Sequence, residues 1–294
     1  KVCFKSYSNK RKFILHSDRS YHGKLIGSGS ISGSYFKENQ FPVMENCVSY
    51  KFNNITDLEN KIIKYNNKGG IYSVIIEPFS ASTLESVSND FMDQLFKLKD
   101  KYGFRIIFDE VFTGFYKSEK MFYFQNFNNK CPDVLCLSKT LGGGKSSISS
   151  LIVDEDIYYK AYNKINETFL HTTTYNGFGE ESITALAALN VISEKNFSEK
   201  VSNISRLLKN NLQKIKEKHS NKIEEIKGNG ILNGIVFKSY MSELGNLVEK
   251  IPINSIKDKS SFLKKITATA ISAELYEKHN ILTSINDSSF SDHL

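Results

Sequence analysis

The chain has 294 residues, a formal net charge of +7 and 40% hydrophobic residues. That length suits one large domain plus a smaller one, with roughly 75% of the unfolded chain's surface open to burial, and no run of about 20 apolar residues exists to span a membrane. The lysines are spread among Asn, Ile, Phe and Ser, arginine is scarce and forms no tract, which argues against nucleic acid as a partner. The opening Lys1-Val2-Cys3-Phe4-Lys5 lacks the apolar core of a signal peptide. Cys3, Cys47, Cys131 and Cys136 fit no zinc spacing. Buried, reduced thiols in a soluble cytoplasmic protein are expected.

In chain order, Phe13–His16 is a short apolar strand and Thr56–Asn66 a helix with Leu58, Ile62 and Ile63 on one side. Ile71–Ile76 is β-branched and stopped by Pro78, a buried strand. Ser88–Lys101 places Phe91, Leu95 and Leu98 at helical spacing, and Gly103 ends that helix. Phe104–Phe108, Val134–Leu137 and Ser149–Val153 are further strands. Strand, helix, strand order predicts parallel pairing with helical crossovers, an α/β fold. Glu181–Lys195 is a helix with a small-residue face of Ala185, Ala187 and Ala188, and Ser198–Lys218 a polar one. Beyond them a small α+β unit is expected: strand Ile231–Phe237, a loop over Met241–Lys259, helix Ser260–His279 and strand Ile281–Ile285. A domain boundary is placed near residue 197, giving 1–197 and 198–294.

Open α/β sheets bind ligands at the carboxyl ends of their strands. Glu77 follows Ile71–Ile76, Asp109 follows Phe104–Phe108, and Lys139 follows Val134–Ser138. Two acids and a lysine therefore converge on one sheet edge. A lysine there, beside Gly142, Gly143 and Gly144, is expected to be partly desolvated, which frees an amine as a nucleophile toward an aldehyde. A carboxylate in the same site would keep a pyridine nitrogen protonated. The glycines let the backbone approach a ligand. Asp109 alone also fits a Mg²⁺ ligand or a helix cap, and Lys139 alone a surface or phosphate-binding lysine. The P-loop order is not met, because the residue five before Gly144 is Lys139, not glycine.

Several blocks resemble the class III aminotransferases, pyridoxal-phosphate (PLP) enzymes of fold type I. Ile107-Phe108-Asp109-Glu110-Val111 with Thr113-Gly114-Phe115 resembles their Asp-Glu-Val, Thr-Gly signature, and Ser138-Lys139-Thr140-Leu141-Gly142-Gly143-Gly144 their Schiff-base lysine segment. Ser20-Tyr21-His22-Gly23, Glu77-Pro78, Pro132-Asp133, the run from His171 to Gly177 and the strand from Lys227 to Phe237 resemble further family blocks, in the family's order. The resemblance implies a large PLP-binding domain with a mostly parallel sheet flanked by helices, and a small α+β C-terminal domain. It implies that Lys139 holds the cofactor as a Schiff base and moves the substrate proton, and that Asp109 pairs with the pyridinium nitrogen. Val111 and Tyr21 would cover the two ring faces, His22 and Glu77 would lie near the cofactor, and Thr174 would reach the phosphate of the neighbouring subunit. The expected form is therefore a homodimer with shared active sites.

The implied reaction is transamination between an amine or amino acid and a keto acid or aldehyde. An aminomutase or epimerase on the same scaffold, or a non-catalytic fragment of such an enzyme, remains the alternative. The family's upstream phosphate-binding segment and its C-terminal carboxylate-binding arginine have no counterpart in these residues, and Phe178-Gly179-Glu180-Glu181 replaces the common Asn-Pro. A chain truncated at both ends is expected.

Overall fold

The structure, a computed structural model, describes residues 1–33, 41–128, 130–238 and 259–285. They form two compact units, residues 1–81 with 85–203 and residues 82–84 with 204–294.

The first unit opens with helix α1 (Val2–Ser6), strand β1 (Phe13–Ser17), one turn of helix α2 (Ile26–Gly29) and strand β2 (Cys47–Tyr50). Helix α3 (Ile55–Asn66) begins where the Asn54 side chain accepts the Asp57 N–H at 2.9 Å. Strand β3 (Ile71–Ile76) leads to helix α4 (Asn89–Tyr102), which is capped by the Ser88 hydroxyl and closed by Gly103 at φ 66°. Strands β4 (Arg105–Asp109), β5 (Val134–Leu137) and β6 (Ser150–Val153) follow, then helices α5 (Glu155–Ala161) and α6 (Gly179–Ile192).

The strands make one sheet in the order β2-β1-β3-β4-β5-β6. All neighbours are parallel except β5 and β6. The link from β5 to β6 carries only a 3-10 turn, too little to return the chain for parallel pairing, so β6 runs back antiparallel.

Alternation along β4 sorts its side chains between two layers. Phe108 meets Phe96 of α4 with ring centroids 6.3 Å apart. Ile107, on the other face, packs with Val2 and Cys3 of α1 and Ile157 and Ala161 of α5. Leu15, Val74, Ile106 and Phe108 are fully buried, each stabilising by roughly 1.5–3 kcal/mol. Asp133 ties this layer to the sheet: its buried carboxylate accepts the Ile106 N–H at 2.7 Å and pairs with Lys99 and Arg105. It is a structural acid.

In the second unit, residues 204–218 of helix α7 (Phe197–Lys218) precede an antiparallel hairpin of β7 (Ile223–Asn229) and β8 (Leu232–Phe237), and helix α8 (Lys259–His279) follows. Gly228 is required there: at φ 129°, a Cβ would meet the Leu232 carbonyl at 2.0 Å. Several expectations are corrected. Strand β7 precedes the expected Ile231–Phe237 strand. Its Glu224, Glu225 and Lys227 hid the pattern. Residues 281–285 have no strand, because Leu282 and its neighbours find no pairing edge and stay exposed. Ile63 is exposed while Leu58 and Ile62 are buried. Cys131 is also exposed, at the turn before β5, and Cys47 and Cys136 are only partly buried. The loop expected over 241–259 lies outside the described residues up to 258.

Candidate active site

Four successive strands deliver the predicted residues. Tyr21 and His22 follow β1, Glu77 follows β3, Asp109 is the last residue of β4, and Lys139 comes after β5. Ile76 lies opposite Phe108, and Asp109 opposite Cys136, three residues before Lys139. The carboxyl edge of the parallel strands thus brings these groups to one place, as the strand order demands.

Asp109 is held from both sides. Its Oδ1 accepts the Val111 N–H at 3.1 Å, and His22 Nδ1 lies 2.7 Å from Oδ2. A carboxylate only accepts, so Nδ1 carries the proton. Burial alone would lower the His22 pKa, but the hydrogen bond to Asp109, its charge and that of Glu77 outweigh burial and raise it. His22 Nε2 is buried without a partner among the described residues. The turn carrying His22 is pinned by the Ser32 hydroxyl, which accepts the His22 N–H at 2.7 Å and donates to backbone carbonyls.

Glu77 is buried. Its two oxygens accept the N–H groups of Tyr21 at 2.8 Å and Ala81 at 3.1 Å. Burial raises its carboxyl to about 7, and the charge of Asp109 adds to the rise, against His22 and the two N–H groups. Glu77 therefore fixes the Tyr21 backbone, and the Tyr21 ring is left exposed.

Lys139 departs from expectation. The residue is exposed, not desolvated, because the 3-10 turn Lys139–Gly142 opens at the sheet edge and its glycines bring no side chains to cover it. Its backbone sits at φ 48°, in the left-handed region, a strain on the order of 1 kcal/mol that recurs at functional sites. The glycines have other uses than ligand approach. A Cβ on Gly143 would meet Ala188 of α6 at 3.2 Å, so this turn packs on the small-residue face of that helix. Of the three glycines in this turn, only Gly144 faces open space.

Thr174 is exposed in the turn 174–177, and none of the described hydrogen bonds joins it to Asp109 or Lys139. His171 instead meets the Tyr162 hydroxyl. Two further residues carry roles that the motifs leave unassigned. Glu110, fully buried, accepts from the Thr113 hydroxyl at 3.0 Å and from the Tyr123 and Phe124 N–H groups at 2.6 and 2.8 Å. It clamps the loop after β4. Phe112 carries two ammonium groups near its ring, Lys139 at 5.0 Å and Lys117 at 5.6 Å from the centroid. The acid–x–x–Thr spacing marks the first in the sequence; the second has no local signal.

The family model for aminotransferase class-III matches residues 1–266. The chain belongs to the class III aminotransferase family. Solved structures of similar fold include a transaminase from the marine bacterium Virgibacillus, 22% identical with a TM-score of 0.73, over 81% of this chain and 56% of that one. An amine transaminase from an uncultivated Pseudomonas species is 22% identical at a TM-score of 0.72, over 81% and 59%. An adenosylmethionine-8-amino-7-oxononanoate aminotransferase from Methanocaldococcus jannaschii is 24% identical at 0.71, over 81% and 57%. At these identities the likeness establishes the fold, a mostly parallel sheet flanked by helices as in fold type I transaminases. The chain spans a little over half the length of these relatives.

The donor set fits the ring and aldehyde of PLP. A carboxylate already held by His22 stands at one strand end, an exposed amine at the next, and the Tyr21 ring is open on the same edge.

Proposed function

We propose that this chain carries the cofactor site of a PLP-dependent transaminase, with residues 1–197 as the cofactor domain and 198–294 as part of the small domain. The observation that carries the reading is the part-buried Asp109–His22 pair one strand away from Lys139. When bound, PLP supplies an aldehyde for amines and a ring that withdraws electrons from the substrate's Cα. Asp109 would keep the proton on the ring nitrogen, and His22 would orient that carboxylate and support its charge. Val111 and Tyr21 would bound the ring's faces. Lys139 would hold the cofactor's aldehyde carbon and, once displaced from it by the substrate amine, would carry the proton between the substrate Cα and that aldehyde carbon. Amine or amino acid donor and keto acid or aldehyde acceptor would use one site in turn, which predicts ping-pong kinetics.

The active form is a homodimer in this reading, with Thr174 reaching the phosphate in the partner's site. Exposed apolar side chains at Phe169, Phe178, Ile183 and Leu186 support it. Free thiols at Cys3, Cys131 and Cys136 suit a cytoplasmic setting, and no described helix is long and apolar enough to cross a membrane.

The test is borohydride reduction of the full-length protein with PLP, followed by peptide mapping. The label is expected on Lys139, and Lys139→Ala should lose it along with about three orders of magnitude or more of transamination. A label on another lysine, or an unchanged spectrum in Lys139→Ala, defeats the assignment.

A further inference from the structure

We propose that the amino edge of the parallel strands, opposite the candidate active site, is a docking surface for an acidic segment of a partner protein. None of the residues assigned to the cofactor lies in it.

Three segments lie side by side along this edge, because β1, β3 and β4 are neighbours in the sheet. Residues 10–12 lead into β1, residues 67–70 join α3 to β3, and residues 103–104 join α4 to β4. The Lys12 N–H donates to the Gly69 and Gly70 carbonyls at 3.2 and 3.0 Å. The Arg11 guanidinium donates to the carbonyls of Ile71 at 2.8 Å, Gly103 at 2.9 Å and Tyr102 at 3.2 Å, so one side chain ties the segments together. Exposed Lys10, Lys12, Lys64, Lys68 and Lys101 stand along them. None of these ammonium groups has a carboxylate partner among the described residues. Buried Asp133 is already paired with Lys99 and Arg105, and Asp100, exposed next to Lys101, offsets a single charge of the row.

Helix ends account for part of this charge. Both α3 and α4 end here, and their dipoles favour Lys64 and Lys101 in the last turns. Lys10, Lys12 and Lys68 lie outside both helices. Neighbouring strands are about 4.8 Å apart and charges are screened over about 8 Å at physiological salt, so the potentials of adjacent segments add. Such a row attracts a run of negative charge. The kind of anion follows from what is already occupied. Single-stranded nucleic acid stacks its bases on open aromatic faces. Each ring here carries a cation instead: Arg11 over Tyr7 at 4.3 Å, Lys64 over Tyr65 at 5.5 Å and Lys101 over Tyr102 at 5.1 Å. The guanidinium forks that suit phosphate are committed, Arg11 to carbonyls and Arg105 to Asp133. A lipid surface takes up exposed apolar side chains, and residues 10–12, 67–70 and 101–104 present none. What remains is a set of flexible ammonium groups, which meet the scattered carboxylates of an Asp- and Glu-rich segment without a fixed geometry.

The experiment uses the full-length protein and a fluorescein-labelled oligoglutamate as the probe. Carbodiimide joins a lysine amine to a carboxylate that touches it, and peptide mapping then reads which lysines are linked. Links are expected on Lys10, Lys12, Lys64, Lys68 and Lys101 ahead of the chain's other exposed lysines. In anisotropy titrations, the combined Lys10→Gln, Lys12→Gln, Lys64→Gln, Lys68→Gln and Lys101→Gln variant should bind the probe about tenfold or more weakly. A variant of equal net charge, Lys195→Gln, Lys200→Gln, Lys209→Gln, Lys214→Gln and Lys218→Gln, changes exposed lysines elsewhere and should stay within about twofold. Links spread evenly over the exposed lysines overturn the proposal, because the charge would then act only in bulk. An equal loss in the two variants does the same. Tighter binding at this edge of an oligouridylate of the same charge, or of equimolar phosphatidylcholine–phosphatidylserine vesicles, also overturns it and gives the edge to a different class of partner. The mapping uses the unaltered protein, so a variant that folds poorly leaves the proposal open to refutation.

Discussion

Two stretches of the first unit are similarly rich in apolar residues and are treated in opposite ways. Along β1, β3 and β4, Leu15, Val74, Ile106 and Phe108 lose all solvent contact between two helical layers. From β6 through α6, Leu151, Ile152, Tyr159, Phe169, Ile183 and Leu186 remain exposed, Phe169 by 73% and Ile183 by 70%. Composition does not separate the two regions; what lies over them does. The first stretch is explained by the chain's own core. The second calls for a cover beyond the described residues, which the proposed homodimer would supply.

The largest effect should come from the covered side. Phe108→Ala removes a ring packed between Phe96 and Phe124, and it should cost about 3–5 kcal/mol in urea unfolding. A loss below about 1 kcal/mol would mean that this layer is not the core it looks to be.

Much of this region was legible in the sequence. Runs such as Ile71–Ile76 are too β-branched for anything but a buried strand. Ser88 and Gly103 bracket α4 by chemistry that acts within a few residues. The convergence of Glu77, Asp109 and Lys139 followed from the rule that parallel strands share one carboxyl edge. What escaped depended on distant partners. The role of Glu110 needs Tyr123 and Phe124, over ten residues away. The Lys117–Phe112–Lys139 cluster needs two loops from adjacent strands. Strand β7, with exposed Glu224 and Glu225, carries too little alternation to declare itself. The exposure of Lys139 is not legible from its neighbouring glycines, because Gly143 makes room for Ala188 of a helix far along the chain and not for a ligand.

The next effect separates the polar rim of the buried strands from their apolar core. Glu77 is raised from 4.5 to about 7, and His22 is raised from 6.5. Each therefore holds a proton in the folded chain that the unfolded chain releases. Their contribution is fully present below the unfolded values and is lost as pH rises through the folded ones. Glu77→Gln should flatten stability between about pH 4.5 and 7, removing a slope on the order of 1–3 kcal/mol over that window. A Gln amide can accept from only one of the Tyr21 and Ala81 N–H groups, which adds a pH-independent loss of about 1–2 kcal/mol. Urea titrations across this range separate the two: an unchanged slope with a constant offset would mean that Glu77 stays ionised throughout.

The smallest change in stability should come from the uncovered side, and it carries the most information about assembly. Ile183 and Leu186 are three residues apart on α6 and share a face. Replacing both by Gln keeps good helix formers and removes apolar surface that the single chain leaves in water. The folded subunit should change by about 0.5 kcal/mol or less at each site. If a second copy covers this face, each Gln instead meets a desolvated surface, and sedimentation of the full-length variant should show monomer where the wild type is dimer. Since Thr174 would act in the partner's site, the variant should also release PLP on dilution more readily than the wild type. A dimer that persists with both substitutions would assign this face to some other cover and would detach Thr174 from the cofactor.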